Sequence, residues 1–315
     1  MVTDGQHLHA VPPALRCGHR VRLGGSLAAR PRAGRRTRRD RRGVALIFVL
    51  WILAVFGLAI GELLASARTE SHMIATLKSR AVARYAAESG ILATTTALQT
   101  LLDSAPEPTQ LAARARHLDT LGNAPPGLTT DRAQFQVAVL DLNGRLDLNH
   151  SDSSALRGLF AEFVQGERAD EIVASLRQMP VTRFGELARV PGADDAFALA
   201  VAPYVTVSSN GIVNVNSAPE AVLAALPGVG LAKAHSFVGR RDAGEVFKSV
   251  DGFRAAPGSG APVTVGGTLL GISPSRLMVV SRGWQPGSPL THEIQAVYLV
   301  LAGTLTLQSW EERDR

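Results

Sequence analysis

The sequence predicts an α+β protein in which one long N-terminal helix packs on an antiparallel sheet that is interrupted by a large helical insertion. Three observations predict it. An apolar run begins at Val44 and passes, without a helix breaker, into a periodic stretch ending near residue 102. Two blocks of strand pattern lie far apart, at 132–149 and within 261–315. Between them, residues 150–260 read mostly as short helices joined by Gly and Pro turns.

The 315 residues leave room for one or two domains with a real core. A net charge of +6 first suggests an anionic partner. However, Arg32, Arg35, Arg36, Arg38, Arg39, Arg41 and Arg42 place seven positive charges in eleven residues, so the remainder is near neutral. The charge therefore carries topological information. Cys17 is the only cysteine, which excludes a disulfide scaffold, a thiolate nucleophile and a zinc ribbon after Val44. The first residues, rich in Gly, Pro, Ala and Arg, read as disordered or as a start placed too far upstream, and they are left out of the fold. Residues 1–43 form a basic leader.

From Val44 to Ile60 there are 17 residues without a charge, and the apolar character continues through Leu63, Leu64 and Ala65. Residues 44–65 thus reach the thickness of a bilayer's hydrocarbon core. The arginines keep the leader in the cytoplasm and send the bulk outward, which places the chain as a single-pass protein of the inner membrane with its bulk in the periplasm. A secretory signal would be shorter and cut at its far end, where Ala65-Ser66-Ala67 is a weak site. Gly43 stands alone between Arg42 and the first apolar residue, and its lack of a side chain gives a peptidase at the cytoplasmic face close access to the backbone.

The helix continues over 66–102. Ile74, Leu77, Ala81, Tyr85, Glu88 and Leu92 form a stripe, apolar except at Glu88, while Arg68, Lys78 and Arg80 sit elsewhere around the cylinder. Pro106 and Pro108 mark the stop. A helix of about 55 to 60 residues is roughly 80 to 90 Å long, half in lipid and half packed on a soluble domain.

In the soluble region, Phe135 to Leu142 read as a strand, Asn143-Gly144 as a hairpin turn and Arg145 to Asn149 as the return, making 132–149 a β-hairpin. Leu277 to Ser281, Glu293 to Leu301 and Leu305 to Trp310 supply the later strands. The insertion carries repeats: Leu146-Asp147-Leu148-Asn149 and Val213-Asn214-Val215-Asn216 each precede a helix. Pro191-Gly192, Pro227-Gly228 and Pro257-Gly258 each follow an apolar residue at one spacing. The eight histidines are scattered, and no metalloprotease motif, phosphate-binding loop or nucleophile elbow is present. The chain reads as a non-enzyme that requires no cofactor.

Arg41-Arg42-Gly43 followed by Val44-Ala45-Leu46-Ile47-Phe48-Val49-Leu50 resembles the class III leader of type IV pilins and type II secretion pseudopilins. That resemblance implies a pilin-like fold, cleavage by prepilin peptidase after Gly43, and methylation of the new N-terminus at Val44. Most pilins carry a glutamate where this chain has Phe48, a departure typical of the minor pseudopilin K family, the general secretion pathway protein K. The glutamate neutralises a neighbour's terminal ammonium, so a subunit without it suits the end of a stack. Ala83 to Ile91 resembles the Tyr-Ala-Ala-Glu-(Ala/Ser)-Gly stretch of the same family, which makes Glu88 a packing or subunit contact.

Leu223 to Ala234 resembles the helix-hairpin-helix of DNA-binding proteins, in which Gly228, Gly230 and Lys233 would hold a phosphate with support from Arg240 and Arg241. The glycines equally serve as a tight turn between packed helices, and the thin basic cluster favours the turn. K family members can carry Ca2+ in the helical domain. Asp147, Asp152, Asp194 and Asp195 are carboxylates at hand, but aspartates in loops commonly cap helices, so no ligands are assigned.

The resemblance implies a minor pseudopilin at the tip of the type II secretion pseudopilus, taking part in export of folded proteins across the outer membrane. Its implied partners are minor pseudopilins of the I, J and H types, the major pseudopilin and prepilin peptidase, with no nucleic acid. The alternative is a membrane-anchored helix-hairpin-helix DNA-binding protein of competence type.

Overall fold

The computed structural model describes residues 41–105, 107–115, 132–250, 263–265 and 267–315. The leader arginines before Arg41, Cys17 and the third Pro-Gly pair at Pro257-Gly258 lie outside the described residues. Helix α1, Arg41–Asp103, is continuous over 63 residues, slightly longer than expected. The chain divides into two units, Met1–Ser66 and Ala67–Arg315.

In the first unit, the side chains from Val44 to Leu64 are exposed all around α1, with Phe48 at 68% and Trp51 at 69%. Apolar surface of this extent is unfavourable in water and suits a lipid environment. Among the described residues α1 is the one helix long and apolar enough to cross a membrane, and it fits a single-pass anchor.

In the second unit, α1 packs on a four-stranded antiparallel sheet of order β1-β7-β8-β9, with β1 Gln134–Asp141, β7 Arg276–Trp284, β8 Thr291–Leu301 and β9 Thr304–Asp314. Strand alternation puts Val137, Val279 and Ala296 on the helix side. The helix offers its small-residue face: Ala83, Ala86, Ala87 and Ile91 are buried. A Cβ added at Gly283 would strike the Ala83 carbonyl and the Ala87 amide, and one at Gly90 would lie 2.8 Å from Phe135 Cδ2. Close seating of the helix therefore needs small residues. The stripe identified from periodicity lies on the opposite face, with Ile74, Leu77, Tyr85 and Leu92 between 58% and 69% exposed. Helix α2, Pro108–Ala115, packs Leu111 beside Leu102 and Ala105.

The expected hairpin at 132–149 does not form. Instead, β1 pairs antiparallel with β7, placing Asp141 opposite Leu277, while β2, Leu146–Asp147, pairs in parallel with β3, Val205–Thr206. Neither Asn143 nor Gly144 has the positive φ that a two-residue hairpin turn requires. The Asn143 side chain is fully buried and holds the junction together. Its amide donates to Asn210 Oδ1 and the Ile212 carbonyl, both at 2.9 Å, and its Oδ1 accepts from the Ser275 and Arg276 amides at 2.9 and 2.8 Å. Its partners thus come from the middle and the exit of the insertion. A two-residue hairpin does occur at Ala302-Gly303, where both φ angles are positive and β8 turns into β9.

The insertion accordingly occupies 142–275, wider than the expected 150–260. Strands β5, Val263–Val265, and β6, Thr268–Gly271, expected with the C-terminal block, pair instead within it. It is built as two copies of one unit. The first runs from β2 through α3, Ser153–Phe160, and α4, Gly166–Gln178, then through α5, Asp195–Val201, to β3. The second runs from β4, Val213–Asn214, through α6, Glu220–Ala225, and α7, Gly230–Asp242, to β6, which pairs in parallel with β4. The expected sequence repeat coincides with this duplication. Asn149 exchanges two side-chain bonds with the Val181 backbone, and Asn216 does the same with Phe247. Leu156, Leu159, Phe160, Ile172, Leu223 and Leu226 form the core that joins the copies.

Candidate functional site

Gly43 and Val44 lie in the first turns of α1, and Phe48 stands one turn after Val44 on the same face. Val44 is 66% exposed. Phe48, Trp51, Ile52, Val55 and Phe56 line one wholly apolar hollow. No carboxylate lies within reach of an ammonium at Val44 on this helix, because the first acid along it is Glu62.

Glu88 sits on the surface, where Arg84 Nε reaches its Oε1 at 2.9 Å while Arg84 Nη2 approaches Glu312 of β9 at 3.5 Å. The pair lies beside Tyr85 and Leu92 on the outward side of α1, so the stripe forms an exposed apolar surface with a neutralised charge in it.

At the hairpin, Gly228 and Gly230 have φ of +80° and +69°, and an added Cβ at either would meet nothing. The glycines are required by the turn's left-handed backbone rather than by crowding. The supporting cations are already engaged. Lys233 Nζ donates to the Gly228 carbonyl at 3.1 Å, and Arg241 donates to the Ala218 carbonyl at 2.7 Å. Arg240 forms a two-point pair with Glu245 and lies 5.0 Å over the Phe247 ring. Glu162 and Glu220 line the adjoining groove beside Phe163 and Leu231. A phosphate strand there would meet carboxylates and occupied cations, so this geometry favours the tight turn over the DNA site.

Three of the four aspartates are occupied, and Asp194 and Asp195 are neighbours in the chain. Asp147 is fully buried and accepts from the Asn149, His150 and Ser209 amides at 2.8 to 2.9 Å. Asp152 caps α3, and Asp194 caps α5 while pairing with Arg168 at 2.6 Å. Asp195 lies in the first turn of α5. Among the described residues no three carboxylate, imidazole or thiol groups converge.

No pattern in the sequence marks the junction of the sheet and insertion. Asp141 accepts from Asn214 Nδ2 at 2.7 Å and Ser217 Oγ at 2.6 Å. Burial pushes its carboxyl above the usual range, opposed by those bonds and by the Asn143 amide. Burial likewise holds the Arg145 guanidinium below the usual arginine range. Neither residue stands in a recognisable motif, and only long-range packing makes them distinctive.

A family model described as type II secretion system (T2SS), protein K, matches residues 213–273, which span the second copy in the insertion from β4 past β6. Among solved structures, a chain of the GspK-GspI-GspJ complex from the enterotoxigenic Escherichia coli type 2 secretion system is similar, with a TM-score of 0.50 and 14% identity over 78% of this chain and 99% of that one. That likeness shows a shared fold. No curated protein sequence matches. The chain thus carries a segment similar to the type II secretion system protein K family, within a fold shared with the GspK chain of that complex.

Proposed function

We propose that this protein sits at the tip of the type II secretion pseudopilus, anchored in the inner membrane with its bulk in the periplasm, and takes part in export of folded proteins across the outer membrane. In this reading prepilin peptidase cuts between Gly43 and Val44, and Val44 is then methylated. The tip position is supported by Phe48: a subunit with no acid there cannot neutralise the terminal ammonium of another subunit, and an unpaired charge in hydrocarbon costs several kcal/mol. The hairpin at Gly228 and Gly230 then serves packing within the insertion and needs no nucleic acid.

The single observation that carries assembly is the outward face of α1. Its small residues are consumed by the sheet, while Ile74, Leu77, Tyr85 and Leu92 stay exposed. Large apolar side chains kept at regular spacing on an outer helix face suit packing against other helices. The similar solved chain belongs to a complex with GspI and GspJ, and we assign minor pseudopilins of the I, J and H types, with the major pseudopilin, as the occupants of this face.

Co-purification from detergent with tagged I and J pseudopilins tests it. Leu77→Asp and Leu92→Asp, at exposed positions, should leave the thermal midpoint within a few degrees and abolish recovery of the partners. Undiminished recovery from the double variant overturns the assignment.

A further inference from the structure

We propose that the cleft between the insertion and the sheet face turned away from α1 is a docking site for an extended, acidic segment of a partner protein. The cleft encloses about 570 Å³. Leu277, Val279 and Ala296 pack toward α1, so the alternating neighbours Met278 and Val297 face the other way and form its floor with Phe184 of the insertion.

Three arginines line it, Arg145, Arg183 and Arg313, against a single acidic residue, Glu311, which Arg313 holds at 3.1 Å. The nearby acids are occupied elsewhere. Glu186 takes the Thr182 and Arg183 amides at 2.8 and 3.2 Å, and Glu293 is paired with Arg282 and Arg315 at 2.6 and 3.1 Å. Arg145 is half-buried with no acidic partner among the described residues. Withdrawing a guanidinium from water without a counter-charge is costly, and a carboxylate delivered by a second chain would offset that cost through a two-point, charge-assisted bond.

The shape selects an extended polypeptide. Ser309, Glu311 and Arg313 of β9 line the cleft at alternate positions, and β9 is the terminal strand of its sheet. Side chains on one face of an extended segment repeat at about 6.8 Å, twice the rise of a strand residue, so alternating acidic and apolar residues match the cationic wall and apolar floor. Three arginines above an apolar floor suit such a segment better than a phosphate polymer, which needs a longer cationic track.

The test uses the full-length chain in detergent and two fluorescent nonapeptides, one alternating Glu and Val and one alternating Lys and Val, read by anisotropy. Saturable binding of the acidic peptide alone is expected, weakened about tenfold by Arg145→Ala and by Arg183→Glu, and partly restored by Arg145→Lys. Arg157→Ala, on α3 away from the cleft, should leave it unchanged. Arg183 is exposed, so its variant tests the idea even if Arg145→Ala unfolds the protein. Absence of saturable binding, equal binding of the lysine peptide, indifference to both arginine variants, or preference for an oligonucleotide of equal charge would each overturn the proposal.

Discussion

Asn143 and Glu293 carry much of the specificity of the soluble unit through a few buried polar bonds. Asn-Gly is a strong local hairpin signal, yet the partners of Asn143 lie 67 to 133 residues away, and no local pattern could reveal them. Arg145 is similar: its identity says nothing of its burial, so the cationic cleft was illegible, whereas the charge boundary at Gly43 and Val44 is itself a sequence feature, and the cleavage proposed there follows from it. Glu293 is 1% exposed. Burial alone would raise its pKa, but hydrogen bonds from Arg282 and Gln295 and the charge of Arg315 hold it below the ordinary 4.5. A depressed carboxylate contributes stability that is present above its unfolded value and lost as pH falls through the folded one. Urea unfolding should therefore show stability declining as pH drops below about 4.5, with a shallower decline in Glu293→Gln. At neutral pH that substitution should cost about 1 to 2 kcal/mol, discounted because both arginines are half exposed. An unchanged acid slope would show that Glu293 does not titrate as described.

At the scale of elements, α1 stops where expected and begins a few residues earlier than Val44, but its periodicity did not say which face meets the sheet. Periodicity reports large apolar residues, and in this helix those serve an outer surface while alanine and glycine meet the sheet. The strands β7, β8 and β9 were legible to within a few residues because each alternates and is bounded by Gly or Pro. The parallel pairs of β2 with β3 and β4 with β6 were not, since two-residue strands carry no period. The close seating of α1 predicts that Gly283→Ala, which meets backbone atoms of Ala83 and Ala87, destabilises by about 1 to 3 kcal/mol in chemical denaturation. Gly166→Ala, at the open start of α4, should change stability by no more than about 0.5 kcal/mol. Equal effects at the two glycines would mean that the helix does not rest on the sheet as described.

At the scale of the whole molecule, β1 and β7 are sheet neighbours joined by 142–275, so the insertion is a long connection added to a simple helix and sheet. Such a connection costs little loop entropy when it carries its own core, as the duplicated unit does. The exposed apolar length of α1 makes sense when other helices and lipid cover it, and the assembly proposed above has Val44 freed from the arginines that precede it. Intact-mass spectrometry of the protein extracted from membranes that contain prepilin peptidase tests this most directly. A chain beginning at Val44, with or without one added methyl group, is the expected result; a chain that retains the residues up to Gly43, or one cut near Ala67, would contradict it.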